Sequence, residues 1–199
     1  MLDPYIRSGL VDYTFFPGQK MQLAAYDDCM ARHRFEVRWL GFIDIDEFVV
    51  PLRDATLADF LRGMEDFPSV EINWLVFGSN GEMRKSAAPV MERFTRHSVG
   101  SHVLNRHVKS FVNPRRVFNM IGCHEAARIN GKAADSHGRP VTVSFRDRTP
   151  QQDVIRINHY AVKSREEFIE KQLRGRASGR QRPVPDSYFM RYDLNDLED

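Results

Sequence analysis

The stretch Trp39-Leu-Gly-Phe-Ile-Asp-Ile-Asp-Glu-Phe-Val-Val-Pro51 decides how the rest of the chain is read. An apolar, strand-like run over residues 40–43 ends in two acidic residues one position apart, Asp44 and Asp46. In a strand, residues i and i+2 point to the same face, so both carboxylates are expected to reach one point at the strand's end. Two like charges beside a buried sheet are costly. A divalent cation relieves that cost, because hard cations take oxygen ligands. The plainer alternative is that the pair caps a strand or begins the helix that follows Thr56. For an isolated Asp-x-Asp that alternative is the better one; here the apolar lead-in, the adjacent Glu47 and the downstream pattern favour a metal site.

Composition bounds the answer. The 199 residues are 42% hydrophobic and 11% aromatic, enough for one sizeable core in one domain. Fourteen Phe against 28% charged residues describe a globular α/β protein and not a disordered one. A net charge of +2 gives no strong global pull toward nucleic acid. Cys29 and Cys123 are too few for a disulfide framework and lack metal spacing, which reads as ordinary buried thiols in a reducing compartment. No apolar run approaches the roughly 20 residues that span a bilayer, and residues 1–7 do not look like a signal peptide. The expectation is a soluble, cytoplasmic chain.

Periodicity predicts helices over 2–10, over 19–33 (apolar at Met21, Ala24, Ala25, Cys29 and Met30) and over 57–64 behind Thr56 as N-cap. A last helix opens at Ser164, where Glu167 completes a capping box, and runs to about Arg174 before Gly175. Strands are predicted at 11–16, 38–43, 70–77, 108–112, 116–121, 127–130, 141–145 and 153–160, with 82–107 irregular and polar. Residues 1–175 form the domain. Residues 176–199 read as a tail, poorly ordered or draped on the surface. This alternation predicts an α/β fold with a largely parallel sheet flanked by helices. In such sheets ligands gather beyond the carboxyl ends of the strands, where Asp44, Asp46, Gly78 and His159 fall.

Four further segments bear on function. Trp74, followed by Gly78-Ser-Asn-Gly81, suits a sugar ring: an aromatic wall beside a loop that lets backbone come close. Its alternative is a core aromatic. Lys109 can face an anion or be a solvated edge-strand lysine. His124 is, as a lone histidine, more often a hydrogen-bonded core residue than a ligand. His159 stands at a strand end, and Lys163 just before a helix N-terminus, which together with free N–H groups makes an anion site. Lys171 and Arg174 follow along that helix and can be mere surface charge.

The ordered set Trp39, Phe42-Ile-Asp-Ile-Asp-Glu-Phe48, Trp74, Phe77-Gly-Ser-Asn-Gly81, Glu92-Arg-Phe94, Lys109-Ser110, His124, His159-Tyr160, Lys163-Ser164, Phe168, Lys171 and Arg174-Gly175 resembles glycosyltransferase family 92 and its bacterial family 2-like relatives. The resemblance covers nearly the whole chain; no single motif is specific, whereas the ordered set is. It implies a GT-A-like, Rossmann-related fold that moves a sugar from a nucleoside-diphosphate donor to a carbohydrate acceptor, with inversion. Asp44 and Asp46 then hold Mn²⁺ or Mg²⁺ on the donor diphosphate, with His159 near the metal. Lys109, Lys163, Lys171 and Arg174 serve the donor, and Trp74, Gly78, Ser79 and Gly81 the acceptor. Asp46 acts in catalysis, and Glu92 is the nominee for general base, with a salt bridge to Arg93 or Arg96 as its alternative. The resemblance also implies a chain that begins at the approach to the third strand, lacking roughly two βα units, with lowered stability and little turnover of its own. Two other classes stay open: a phosphohydrolase of the haloacid dehalogenase type, which expects Thr or Val where Phe48 stands, and a non-catalytic carbohydrate-binding remnant.

Overall fold

The computed structural model describes residues 2–174 and 186–199. The helices predicted from periodicity form: α1 at Asp3–Arg7 and α2 at Gln22–His33. Thr56 caps α3 (Leu57–Arg62) by accepting the Asp59 N–H at 3.1 Å. Ser164 and Glu167 form the reciprocal capping box of α5 (Arg165–Arg174), each side chain bonded to the other's backbone N–H. Gly175, the expected stop, lies outside the described residues.

A five-stranded sheet is the centre of the molecule. β1 (Leu40–Gly41), β2 (Glu47–Pro51), β3 (Ser69–Val76), β5 (Val108–Val112) and β8 (Ile155–His159) lie in the order β1-β5-β3-β8-β2. The expected largely parallel sheet is corrected here. β1·β5, β3·β5 and β2·β8 run antiparallel, and β3·β8 is the parallel pair. Parallel neighbours need a long crossover, usually a helix. Between β3 and β5 the chain offers the four-residue α4 (Val90–Arg93), the short β4 (Arg96–His97) and a 3₁₀ turn at Val103–Arg106, so it returns antiparallel. A hairpin of β6 (Val117–Met120) and β7 (Ala126–Arg128) packs beside α2.

All eight residues of β3 are buried. Its apolar side chains pack with Phe60 and Leu61 of α3, Phe111 of β5 and Ile157 of β8. Each such side chain contributes about 1.5–3 kcal/mol on burial. α2 turns Met30 and Tyr26 onto Phe42 and Val112, a second and smaller core.

Two strand expectations fail. Residues 11–16 are irregular and mostly exposed, having no neighbouring strand to bond. Residues 141–145 are also irregular and run into a 3₁₀ turn at Phe145–Asp147. Of the expected tail, residues 186–192 form α6 (Asp186–Tyr192), which buries none of its residues, and β9 (Leu197–Glu198) pairs with β4. No helix among the described residues is long and apolar enough to cross a membrane.

Candidate active site

β1 and β2 occupy opposite edges of the sheet, yet only residues 42–46 join them. Four inter-strand steps amount to about 19 Å in a flat sheet. Six Cα steps reach at most about 21 Å when fully extended. Residues 45 and 46 form a turn, so the segment is not fully extended. The sheet must curl to bring its edges closer. In crossing, this acidic turn passes the carboxyl ends of the parallel pair, where Val76 and His159 stand opposite each other in register. Tyr160 N–H donates to the Asp46 carbonyl at 2.9 Å, and Glu47 N–H to the Asp44 carbonyl at 3.0 Å. At the first edge Gly41 is required: a Cβ there lies 2.4 Å from the Phe111 ring.

The two aspartates therefore do not sit i, i+2 on a strand. Each has its own lysine. Lys109 Nζ donates to Asp44 Oδ2 at 2.9 Å and lies 3.3 Å from Glu47 Oε2. Lys109 is fully buried in the middle of the sheet, which corrects the edge-strand alternative. Burial opposes its charge, but Glu47 and Asp44 raise its pKa above the ordinary value. Glu47 Oε2 also accepts the Asp44 N–H at 2.9 Å, while its Oε1 is buried without a partner. Burial pushes the Glu47 carboxyl up to about 7, with Lys109 opposing. On the other side, Lys171 Nζ of α5 donates to Asp46 Oδ2 and, at 3.0 Å, to the Ala161 carbonyl. Burial works to raise the Asp46 carboxyl, yet Lys171 and then His159 hold it below the usual carboxylate range.

Beneath the turn lies a ring of neutral imidazoles. His159 is buried, its Nδ1 has no partner, and burial lowers its pKa to about 4 against the pull of Asp46. Its ring centroid is 4.0 Å from that of Trp74, which also stacks on His107 at 4.8 Å and meets His124 edge-on at 5.4 Å. His124 Nδ1 pairs with the Val108 carbonyl at 2.7 Å and His107 Nδ1 with the Leu104 carbonyl at 2.9 Å. Both are therefore assigned the Nδ1–H tautomer. Burial lowers both, His124 to about 4.

Outward from Asp46 opens a cleft of about 500 Å³, whose lining includes Ile45, Lys163, Glu167, Lys171 and Leu173. It puts cations next to a buried carboxylate, an arrangement suited to an anion and its counter-cation together.

A family model described as Glycosyltransferase family 92 matches residues 1–183. The chain belongs to glycosyltransferase family 92. Two relatives, both galactan beta-1,4-galactosyltransferases of Arabidopsis thaliana, align with part of it. GALS2 is 26% identical over 117 residues, 56% of this chain and 22% of the relative. GALS3 is 28% identical over 146 residues, 66% of this chain and 28% of the relative. The chain thus spans about a quarter of the length of the curated relatives it matches.

Within this family 92 chain, Asp44, Asp46, His159, Lys109 and Lys171 come together at one end of the sheet, and Lys163 lines the adjoining cleft. Arg174 ends α5, with its side chain outside the described residues. Glu92 sits exposed on α4, outside the hydrogen bonds and ion pairs of the cluster. Its neighbour Arg93 pairs with Glu82 and Glu167, not with it. Trp74 offers no open face, being 6% exposed among the histidines. The loop at 78–81 is engaged by the chain's own end: Ser79 N–H donates to Asp193 at 2.7 Å and Asn80 N–H to Asn195 at 2.9 Å. Gly78 is needed for that docking, since a Cβ there lies 2.4 Å from Asn195 Oδ1. Glu47, which in the sequence only lends weight to the acidic pair, takes a place of its own in the site; its signal is an acid directly beside Asp46 in an otherwise apolar stretch. The Ala161 carbonyl carries no sequence signal at all.

Proposed function

We propose that this chain forms the donor-diphosphate end of a family 92 glycosyltransferase, in which a nucleoside-diphosphate sugar binds at the acidic turn and its sugar passes, with inversion, to a carbohydrate acceptor. The observation that carries the reading is the segment 42–46, drawn across the carboxyl ends of β3 and β8, with Asp46 beside His159 and paired with Lys171, which lines the cleft. The names of the two relatives make galactose the first donor sugar and galactan the first acceptor to try.

A divalent cation fits this place. The Asp46 carboxylate and the Ala161 carbonyl already bracket a positive charge, the Lys171 ammonium, and the orphaned His159 Nδ1 and Glu47 Oε1 belong to the same cluster. Among the described residues no three acidic, histidine or cysteine side chains form a closed metal cage. Mg²⁺ and its like are commonly held by one or two carboxylates plus substrate phosphates. Asp44 and Asp46 are the residues to hold it, with His159 beside them. When bound, such a cation neutralises charge on the departing diphosphate. The chain's own part is to orient: Lys109 and Glu47 fix Asp44, Tyr160 N–H fixes the backbone at Asp46, and Lys163 and Lys171 draw the diphosphate into the cleft. The acceptor role of Trp74, Gly78, Ser79 and Gly81 and the base role of Glu92 gain no support from their surroundings. Glu47, with its carboxyl near 7, has the proton affinity a general base needs, and its burial suits it better to positioning Asp44.

Calorimetry of a nucleoside diphosphate with and without Mn²⁺, on the wild-type chain and on Asp46→Asn, tests the reading. Expected is cation-dependent binding that Asp46→Asn weakens. Diphosphate binding indifferent to both cation and substitution overturns it. Saturable binding of galactan without nucleotide binding indicates the carbohydrate-binding remnant instead.

A further inference from the structure

We infer that Lys171 occupies the cation position at Asp46 and thereby makes divalent-cation binding depend on the diphosphate. The inference rests on the reading of the acidic turn as a cation and diphosphate site. It starts from an asymmetry of anchoring. Asp46 is held: its side chain is 11% exposed and its carbonyl accepts the Tyr160 N–H. Lys171 is not: its side chain is 43% exposed, projects from α5 and lines the cleft. A half-exposed ion pair is worth little in stability, and a lysine stem can swing its head into water without disturbing the helix.

The Lys171 ammonium is bracketed by two oxygens, one from Asp46 and one from Ala161. Oxygens of that kind are what a hard cation seeks. A second observation points to the same spot. His159 Nδ1 is buried and unpartnered, and its ring is near enough to Asp46 for each to shift the other's proton affinity, so a polar atom of the same cluster is left unsatisfied with the lysine in place. With Lys171 in place a divalent cation meets an ammonium and is repelled; with Lys171 withdrawn it meets a carboxylate, a carbonyl and a neutral imidazole. The cleft into which Lys171 withdraws is also lined by Lys163, so a diphosphate there draws the ammonium off Asp46. Cation and diphosphate then favour each other's binding, and by linkage the coupling is reciprocal.

The probe is Mn²⁺ itself, followed by loss of the free-ion electron paramagnetic resonance signal. It is titrated into wild type, Lys171→Met, Lys85→Met and Asp46→Asn, each alone and then with UDP or GDP. Lys85 lines the same cleft but pairs with Glu170, so it controls for general charge. Expected without nucleotide is Mn²⁺ binding at least about tenfold tighter in Lys171→Met than in wild type, as removal of a unit charge at ion-pair distance predicts. Lys85→Met should match wild type. Nucleotide should tighten Mn²⁺ binding strongly in wild type and little in Lys171→Met. Equal Mn²⁺ binding by wild type and Lys171→Met without nucleotide, with nucleotide-dependent binding in both, overturns the role of Lys171 and leaves the site reading standing. No Mn²⁺ binding in any variant with nucleotide present overturns the site reading as well.

Discussion

The two ends of the acidic turn are built as opposites. At Asp44 the lysine is buried (1% side-chain exposure for Lys109) and the aspartate is 46% exposed. At Asp46 the aspartate is 11% exposed and the lysine 43%. The first lysine comes from an interior strand and also serves the buried Glu47; the second comes from a helix lining an open cleft. One charge pair is a strut inside the sheet and the other a latch on its surface. The lesson is that a short acidic motif can divide its labour: one carboxylate keeps a lysine fixed by the fold, and the other holds a lysine that can be exchanged.

The largest break in that comparison is Lys109→Met. It removes the lysine that Glu47 and Asp44 share, and removal of one partner of a buried pair costs about 3–5 kcal/mol. Denaturant unfolding should show that loss, and Lys109→Met combined with Glu47→Gln should recover much of it. A single mutant as stable as wild type would mean that the strut bears no load. Next in size is the contrast between Asp46→Asn and Asp44→Asn. Nucleoside diphosphate with Mn²⁺ should bind at least about tenfold more weakly to Asp46→Asn, about 1.4 kcal/mol, and should lose less in Asp44→Asn, whose charge already answers to Lys109. Equal losses, measured by calorimetry, would erase the distinction between the two ends.

A smaller effect lies in pH. The folded state lowers His124 and His159 to about 4, so between pH 4 and 6.5 the unfolded chain binds more protons and stability rises with pH. Glu47 is raised from 4.5 to about 7, so in that window it acts in the opposite sense, its contribution fading as pH climbs toward 7. Melting temperature should therefore rise from pH 4.5 to 6.5 in wild type and rise more steeply in Glu47→Gln. Parallel profiles would show that Glu47 titrates normally. Smallest of all is Lys171→Met, which should change unfolding free energy by no more than about 1 kcal/mol, however much it alters cation binding. A loss as large as that of Lys109→Met would turn the latch into a second strut.

What could be read from the sequence follows the range of the forces involved. Thr56 and the Ser164–Glu167 box act within one helical turn, and both formed as expected. The runs that became β3, β5 and β8 carry their own apolar signal. Residues 47–51 do not read as a strand in the sequence, because the acidic pair resembles the end of β1; only pairing with β8, more than a hundred residues on, makes them one. The direction of the sheet was misread for the same reason: alternation of elements does not reveal which strands become neighbours. The proximity of His159 to Asp46 is legible from strand ends alone, whereas the burial of Lys109 and the docking of residues 193–195 on the 78–81 loop depend on partners far along the chain.

The turn at 42–46 is also a measured length. It works like a bowstring: the sheet is the bow, and its curl is set by how short the string is. One extra residue would add up to about 3.5 Å and leave every carboxylate, lysine and histidine in the chain. It would nonetheless slacken the bow and let the edges drift toward a flat sheet, carrying Asp46 off the end of β8. At this position the spacing of the chemistry is stored in the number of residues as much as in their identity.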